Sequence, residues 1–276
     1  MSAMDAPRII VTGATSGVGK EIASRLAASG AKVILGCRDL ERGQRTAEEI
    51  REQLKGTEPS VIQLDTSSWA SIGTFAREYE RRYDRLDVLV NNAGTLRPQR
   101  ELSSDGVELT FATNVVGYYL MTQQLLEILR ASTPARVVNV ASSYASDLDL
   151  DDLQFERRPY DGLTAYAQSK ACDRMLTWAF ARRLAGSGVT VNAMAPGLMT
   201  DTHLYRDLSA DIRHQLEQQP GRSIAEGADT AVWLASASKL EGVTGRFYEL
   251  RSEQPCEFRD LRAEARLWAV CEGVTD

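Results

Sequence analysis

Two side chains four residues apart, Tyr166 and Lys170, have the types and the spacing that proton transfer requires. Both fall in a stretch that we predict to be helical, so they lie one turn apart on one helix face and can converge on one site. A phenol can give up or take a proton during a reaction, and a nearby ammonium can stabilise its charged form. A Tyr and a Lys at this spacing also occur as ordinary surface residues, so the rest of the chain must decide what the pair does.

A glycine-rich stretch near the N-terminus predicts a site for a phosphate-bearing ligand. Residues 12–19 read T-G-A-T-S-G-V-G, with Gly13, Gly17 and Gly19 between a predicted strand and a predicted helix. Glycine permits a tight turn and a close approach of the backbone to a pyrophosphate, which then meets the free N–H groups and the positive end of the following helix. Because the motif lies in the first strand–helix–strand unit, it predicts a dinucleotide site.

Neighbouring positions indicate which nucleotide binds. A P-loop would need Gly at position 14 and Ser or Thr at position 21, where this chain has Ala14 and Glu21, so nucleoside triphosphate hydrolysis is disfavoured. The second predicted strand ends without the carboxylate that binds the ribose 2′-hydroxyl of NAD. The guanidinium of Arg38 can instead bind a 2′-phosphate, which predicts NADP(H) as the cofactor. Arg38 also fits a solvated helix turn, with Asp39 as the N-cap of the next helix.

The elements that must position these residues are short β-branched runs that alternate with longer amphipathic stretches. Strands are predicted at residues 8–12, 32–36, 60–64, 86–91, 136–141, 189–193 and 246–248. Helices are predicted at residues 17–29, 39–55, 68–83, 105–130, 163–185 and 224–237. Parallel strands need connections of helix length, so the alternation predicts a single α/β domain with a doubly wound parallel sheet and helices on both faces. Ser223 and Glu226 predict a capping box on the last of these helices.

Two segments fit no strand, and each of them follows a predicted strand. They are residues 144–162 and 198–221. In open α/β sheets, ligands bind beyond the carboxyl ends of the strands, so both segments are candidate substrate walls. The terminal segment, about residues 257–273, has apolar residues at helical spacing and is expected to pack on the body of the domain.

Composition and charge exclude several classes of protein. The 276 residues hold 32 Lys and Arg against 38 Asp and Glu, a net charge of -6, which provides no basic surface for nucleic acid or an anionic membrane. No stretch approaches the ~18 apolar residues that span a bilayer, and the N-terminus has no export signal. The four cysteines lack C-x-x-C spacing, and the two histidines belong to no cluster of metal ligands. We therefore expect reduced thiols, no metal and a cytoplasmic protein.

Several motifs occur together in one order over most of the chain. The glycine turn is followed by N-N-A-G at residues 91–94, by Asn114, by V-N-V-A-S ending at Ser142, by Y-A-Q-S-K at residues 166–170 and by Pro196-Gly197. In this combination the sequence resembles the short-chain dehydrogenase/reductase family. The resemblance implies a Rossmann fold, a nicotinamide cofactor, and hydride transfer between a carbonyl and an alcohol.

The resemblance also implies roles for individual residues. Tyr166 would be the acid in reduction and the base in oxidation, with its pKa lowered by Lys170, which also holds the nicotinamide ribose. Ser142, rather than the adjacent Ser143, would donate to the substrate oxygen, and Asn114 would hold a water in the proton relay. The residues implied to bind the cofactor are Gly13, Ser16, Gly17, Val18, Gly19, Arg38, Asp65, Asn91, Ala93, Gly94, Tyr166, Lys170, Pro196, Gly197, Leu198 and Thr200, with Thr202 as the alternative to Thr200.

Within the family, the chain looks most like the retinol dehydrogenase and protochlorophyllide reductase branch. The similar stretches are G-C-R-D-L-E-R-G at residues 36–43, Y-D-G-L-T-A-Y-A-Q-S-K at 160–170 and R-L-W-A-V-C-E-G-V-T at 266–275. Many retinol enzymes carry an N-terminal membrane anchor, and its absence here favours a soluble enzyme for a medium-sized, partly apolar ketone, aldehyde or alcohol, with no membrane partner.

Two other functions remain open at this point. One is NADPH-dependent reduction of an activated C=C bond, and the other is a non-catalytic nucleotide-sensing or scaffold role. Family habit further implies a homo-oligomer, a dimer or tetramer, that pairs through helix faces near residues 114–130 and 171–185.

Overall fold

The centre of the computed structural model, which describes residues 6–54, 58–199 and 202–275, is an eight-stranded sheet. Its strands are β1 (Arg8–Thr12), β2 (Lys32–Cys37), β3 (Ser60–Gln63), β4 (Val88–Asn91), β5 (Ala135–Val140), β6 (Val189–Ala195), β7 (Phe247–Glu249) and β8 (Ser252–Gln254). They are hydrogen-bonded in the order β3-β2-β1-β4-β5-β6-β7-β8. β8 is antiparallel to β7, and the strands from β3 to β7 are parallel. The chain runs outward from β1 to β3 and then returns to β4, so a switch point lies between β1 and β4.

Helices cover both faces of this sheet. They are α1 (Gly17–Ala28), α2 (Leu40–Leu54), α3 (Trp69–Arg82), α4 (Leu109–Phe111), α5 (Gly117–Gln124), α6 (Leu126–Ala131), α7 (Gly162–Arg183), α8 (Ala210–Glu217), α9 (Ile224–Ser236) and α10 (Leu261–Gly273). One core contains residues of α1, α2 and α9, and the other contains residues of α3, α5, α7 and α10. Strand alternation supplies both cores, since Ile9 and Val11 of β1 join the first and Ile10 joins the second. The predicted doubly wound fold is confirmed.

The predicted helix at residues 105–130 is interrupted in the structure. α4 is followed by a π-helical turn, Ala112–Val116, then by α5, and Leu125 separates α5 from α6. A π turn adds one residue to the helical repeat, so one 3.6-residue period cannot describe the whole stretch. The first residue of α5 is a glycine, Gly117, and a Cβ there would lie 2.5 Å from the carbonyl oxygen of Thr66.

Two elements were not predicted. β8 has three residues, which are too few to show an alternating pattern. α8 lies within the segment 198–221 and has no fully buried residue, and the apolar face that it presents is limited to Ile212 and Leu216, which is too little for periodicity to indicate a helix.

Side-chain caps fix where the helices beside the site begin. Asp161 caps α7 by accepting a hydrogen bond from the N–H of Thr164 at 2.8 Å. The predicted capping box of α9 is confirmed, because the Ser223 hydroxyl accepts from the N–H of Glu226 and the Glu226 carboxylate accepts from the N–H of Ser223. Within the described ranges, no helix is both long enough and apolar enough to cross a membrane.

Candidate active site

A cavity of about 550 Å³ lies at the carboxyl ends of β1, β2, β4, β5 and β6. This is the edge of a parallel sheet where ligands are expected. The predicted site residues that line it are Gly13, Ser16, Gly17, Val18, Gly19, Arg38, Asp65, Ala93, Gly94, Ser142, Tyr166, Lys170, Pro196 and Gly197. The fold thus brings the glycine turn and the Tyr–Lys pair, which are far apart in the sequence, to the walls of one cavity.

The glycine turn packs so closely against the end of β4 that side chains are excluded from it. Gly13 has φ +65°, and a Cβ on it would lie 2.8 Å from the Cα of Ala93. The Thr12 hydroxyl accepts hydrogen bonds from the N–H groups of Asn92 and Ala93, both at 2.9 Å, and fixes the two loops together. Ser16 is the N-cap of α1 but its side chain does not cap the helix. The first N–H groups of α1 are therefore left for an anion, and this cradle fits a dinucleotide pyrophosphate.

Two arginines line the cavity at the end of β2. Arg38 was predicted, and Arg42 lies four residues further on, in the first turn of α2. Asp39 accepts a hydrogen bond from the N–H of Arg42 at 3.0 Å and so caps this turn. Across the described ranges, no carboxylate pairs with either guanidinium. Arg42 was missed, although its position one helical turn beyond Arg38 was a signal that could have found it.

At the adenine end, Asp65 follows β3 at the edge of the cavity. Its Oδ1 accepts hydrogen bonds from the N–H and the hydroxyl of Ser67, at 2.9 and 2.6 Å. These bonds hold the loop after β3 against the cavity, so Asp65 is both a lining residue and the organiser of its own loop.

Tyr166 and Lys170 lie one turn apart on α7, 8% and 3% exposed, and both reach the cavity. Ser142 follows β5 and lines the same cavity, and its hydroxyl acts to lower the pKa of Tyr166. Ser143 points elsewhere and donates to the carboxylate of Glu249 at 2.8 Å. Of the two adjacent hydroxyls, therefore, only that of Ser142 is close to the phenol.

The ammonium of Lys170 is held away from Tyr166. Its Nζ donates to Oδ2 of Asp173 at 2.8 Å and to the carbonyl oxygen of Val140 at 3.0 Å, and it lies 5.7 Å from the centre of the Tyr166 ring. Burial tends to lower the pKa of Lys170, but the Asp173 carboxylate and the Tyr118 hydroxyl outweigh burial and raise that pKa. Lys170 is thus a buried cation with its own counter-ion.

The pKa of Tyr166 differs from the expectation drawn from the sequence. Burial raises it above the ordinary value of a phenol, the hydrogen bond from Ser142 opposes this rise, and the Asp173 carboxylate adds to it. Lys170, which was expected to lower this pKa, is not among the groups that shift it here.

Asn91 lies inside the protein rather than in the cavity wall. Its amide donates to Oδ1 of Asn139 at 3.0 Å and to the hydroxyl of Thr122 at 3.3 Å, so it joins β4, β5 and α5. Asn92 lines the cavity in its place. Side chains alternate in direction along a strand, so Asn91 points into the core and Asn92, the second asparagine of N-N-A-G, points into the cavity.

Asn114 lies in the π-helical turn, behind the cavity wall. Its Oδ1 accepts from the N–H of Thr95 at 2.8 Å, and its Nδ2 donates to the Thr95 carbonyl at 3.0 Å and to the Ser169 hydroxyl at 2.9 Å. A Cβ on Gly94 would be 3.5 Å from Oδ1 of Asn114 and 4.0 Å from Nζ of Lys170. Asn114 thus joins the loop after β4 to α7 close to Lys170.

The segment after β6 contributes part of the wall. Pro196, Gly197 and Met199 line the cavity, whereas Leu198 does not, and its carbonyl accepts from the N–H of Arg222 at 2.8 Å. Thr200 lies outside the described residues. Its alternative, Thr202, lines the cavity and donates to the Met199 carbonyl at 3.2 Å.

The two candidate substrate walls behave differently. The segment 198–221 contributes Met199, Thr202, Leu204, Tyr205, Arg206 and Asp207 to the cavity. Of the described lining residues, none comes from the segment 144–162, which packs on other elements. For example, the carbonyl of Leu153 accepts from the Gln168 amide, and the Tyr160 hydroxyl donates to Glu108.

The mouth of the cavity next to Tyr166 combines an apolar cluster with an ionic contact. Tyr166 packs in a cluster with Leu96, Leu163, Leu204, Tyr205, Leu208, Ile212 and Leu216. Arg97 donates to Asp207 at 2.9 Å and to Glu101 at 2.6 Å, so it links the loop after β4 to the segment 198–221. This end of the cavity presents apolar surface to a ligand.

The described part of the chain offers no cluster of three or more His, Cys, Asp or Glu side chains that could hold a metal ion. Its four cysteines are free, and Cys37, Cys172 and Cys271 are buried.

Similarity to known proteins extends over nearly the whole chain. The family model described as short chain dehydrogenase matches residues 7–213. Retinol dehydrogenase 13 from Homo sapiens is 36% identical over 271 residues, which are 95% of this chain and 82% of that protein. A solved protein from Mycobacterium paratuberculosis, with no described function, has a TM-score of 0.78 at 29% identity, covering 98% of this chain and 96% of that one. A variant of actinorhodin polyketide ketoreductase, solved with NADPH, has a TM-score of 0.70 at 28% identity and covers 90% and 96%.

Proposed function

The chain belongs to the short-chain dehydrogenase/reductase family, in its retinol dehydrogenase-like branch, and from this premise we propose that it interconverts a ketone or aldehyde and an alcohol with NADP(H). The observation that carries the proposal is that Ser142, Tyr166 and Lys170 share one cavity with the glycine turn. A hydride donor, an acid and a hydrogen bond to the carbonyl oxygen are what carbonyl reduction needs.

When bound, the nicotinamide supplies the hydride to the carbonyl carbon in reduction and accepts it from the alcohol carbon in oxidation. Tyr166 gives its phenolic proton to the carbonyl oxygen in reduction, and its phenolate takes the hydroxyl proton in oxidation. Ser142 donates a hydrogen bond to the same oxygen. Lys170 would bind the ribose hydroxyls of the cofactor, and Asn114 would hold the relay water beside Lys170.

The preference for NADP(H) is supported by the two arginines at the end of β2. Arg38 and Arg42 face the cavity without a carboxylate partner among the described residues. A 2′-phosphate is a dianionic acceptor that a guanidinium binds through paired hydrogen bonds. The ketoreductase with 28% identity was solved with NADPH, which agrees with this preference.

The substrate class is supported by the surroundings of Tyr166. The cluster around it is built mainly of leucine side chains, and burying an apolar substrate against them is favourable. We therefore propose a medium-sized, partly apolar aldehyde or ketone. Retinal belongs in the first set of test substrates, because the relative with 36% identity is named a retinol dehydrogenase.

The test is the consumption of NADPH, and separately of NADH, in the presence of all-trans-retinal, nonanal and acetophenone. We expect turnover of at least one carbonyl, with NADPH preferred over NADH. Tyr166→Phe should lower kcat/KM by about 10²- to 10⁴-fold while NADPH still binds, because only the proton donor is lost. Undiminished turnover by Tyr166→Phe would contradict the proposal.

Two other outcomes would point to other functions. With deuterated NADPH and an unsaturated aldehyde, deuterium on the carbinol carbon supports carbonyl reduction, whereas deuterium on a former alkene carbon indicates C=C reduction. NADPH binding without turnover of any carbonyl would indicate a nucleotide-sensing or scaffold role.

A further inference from the structure

Asp173 is a buried carboxylate next to the proposed proton-transfer residues. It lies on α7, three residues after Lys170, and its side chain is 0% exposed. Its Oδ2 lies 2.8 Å from Nζ of Lys170, whose own side chain is 4% exposed. Among the described residues, no donor reaches its Oδ1. A fully buried carboxylate with one unsatisfied oxygen is costly, so its retention points to a function at Lys170.

The geometry shows what Asp173 does to Lys170. The ammonium is held between the Asp173 carboxylate and the Val140 carbonyl, at 2.8 and 3.0 Å, rather than directed at the Tyr166 ring. Two opposite charges this close act on a more distant group almost as a neutral pair, so the positive potential at Tyr166 is weak. Without the carboxylate, the charge of a protonated Lys170 would act on the phenol with no offset.

The other titratable groups around the pair are a phenol and two thiols whose pKa values burial raises, as it also raises that of Tyr205, which packs against Tyr166. On α5, burial raises the pKa of Tyr118, whose ring lies 5.2 Å from Nζ of Lys170. On α7, burial raises the pKa of Cys172, and on α10, burial raises that of Cys271. Burial also raises the pKa of Asp173, to about 7, with Lys170 opposing the rise. Above that pH, the buried charges beside Tyr166 on α7 are therefore those of Asp173 and Lys170, whereas Arg97 and Asp207 pair with each other at the mouth of the cavity.

We propose that Asp173 is a positioning residue that holds Lys170 and offsets its charge, so that Tyr166 loses its proton only at a higher pH. The inference rests on the proposed function, since it concerns the same phenol. Alcohol oxidation depends on the phenolate, so its rate reports the pH at which Tyr166 titrates. Asp173 thereby sets the pH range in which the chain oxidises alcohols.

The test compares the pH dependence of kcat/KM for oxidation of 1-nonanol, retinol and 1-phenylethanol with NADP⁺, between about pH 6 and pH 11. Asp173→Asn keeps the shape of the side chain and removes its charge. We expect the midpoint of the alkaline limb to fall by about one pH unit or more, as is usual when a neighbouring charge is removed. Asp173→Glu restores the charge and should return the midpoint toward that of the wild type.

The matched control is Glu264→Gln, which also removes a fully buried carboxylate, but on α10 next to Arg182 and Arg183. It should reduce thermal stability and leave the midpoint unchanged. A general effect of losing a buried carboxylate would move both midpoints, whereas the proposed effect moves only that of Asp173→Asn. NADPH fluorescence and thermal unfolding establish that each variant is folded and binds the cofactor.

A folded Asp173→Asn protein with the wild-type midpoint overturns the inference and leaves the proposed function intact, whereas a wild type without turnover overturns the proposed function itself. If Asp173→Asn does not fold, Asp173→Ser removes the charge while leaving room for water beside Lys170, and the same shift is expected. Failure of both variants to fold would show that the carboxylate stabilises the fold instead, and would overturn the inference.

Discussion

Arg38 and Arg42 are the residues by which the cavity can distinguish two cofactors that differ by one phosphate. Both side chains reach the cavity from the end of β2 and the first turn of α2. Asp39, the nearest carboxylate in sequence, caps α2 through the N–H of Arg42 and therefore serves the helix. Positive charge here favours a phosphate over a hydroxyl, because a hydrogen bond between charged groups is about twice as strong as a neutral one.

Arg38→Ala and Arg42→Ala should each raise the KM for NADPH by about 10- to 100-fold, since each removes a charged hydrogen bond worth roughly 1.5 to 3 kcal/mol. The KM for NADH should stay within about twofold, because NADH carries no 2′-phosphate. Steady-state kinetics with both cofactors measure this. The matched control is Arg45→Ala on the same helix, whose partner is Glu41 and which should change neither constant. Equal losses for the two cofactors would contradict a phosphate-binding role.

The sequence predicts which segments border the cavity, but not always which side chain of a segment faces it. N-N-A-G indicated that the end of β4 borders the cavity, but only the pleat of the folded strand decides that Asn92, and not Asn91, faces it. The spacing of Tyr166 and Lys170 predicted a shared face, and both do line the cavity. The same spacing rule places Asp173 beside Lys170, yet a carboxylate three residues from a lysine is common on helix surfaces. Only its burial distinguishes it.

The close contact between the glycine turn and the end of β4 should contribute both to the stability of the fold and to NADPH binding. Gly19→Ala would place a Cβ 2.5 Å from the carbonyl oxygen of Gly13 and still closer to the Asn92 amide. We expect a loss of about 1 to 3 kcal/mol in the free energy of unfolding, as for other overpacked positions, together with weaker NADPH binding. Chemical denaturation and NADPH fluorescence titration provide the two measurements.

The matched control for Gly19 is Gly73, another glycine inside a helix. A Cβ on Gly73 meets only the end of the flexible Arg77 side chain, at 3.3 Å. Gly73→Ala should therefore leave the free energy of unfolding unchanged or raise it by about 0.5 to 1 kcal/mol, which is the ordinary helix preference for alanine. A similar loss in both variants would show that the effect at Gly19 comes from the helix and not from contact with β4.

Elements with a strong local signal were predicted, and those set by tertiary contact were not. The bounds of β1 match the prediction, because its β-branched run is buried on both faces. The capping box of α9 was also readable, since two side chains three residues apart are enough to form it. The π turn at Asn114 gave no local signal. It directly precedes Gly117, which packs against Thr66, a contact between distant parts of the chain that local sequence does not reveal.

For the whole molecule, the way α10 docks bears on self-association. Glu264 of α10 is fully buried and accepts hydrogen bonds from Arg182 and Arg183 of α7. Trp268 packs edge-on against Tyr119 of α5 and Phe180 of α7, with centroids 5.0 and 4.8 Å apart. These helices are the ones that family habit pairs between subunits. Because α10 covers part of that face, we propose that a homo-oligomer of this chain uses the surface that α10 leaves open.

Leu267→Ala tests this arrangement, because Leu267 of α10 is a fully buried apolar residue of the core. The lost contacts and the cavity should cost about 2 to 5 kcal/mol, which lowers Tm by roughly 5 to 15 °C in a domain of this size. A loosened α10 also exposes the aromatic face of α5 and α7, and exposed apolar surface promotes association. We therefore expect sedimentation velocity to detect larger species for Leu267→Ala than for the wild type at equal concentration.

Arg262→Ala, on the exposed side of α10, should change neither Tm nor the sedimentation coefficient. If Leu267→Ala lowers Tm without any change in sedimentation, then α10 stabilises the domain but does not shield a surface that can associate.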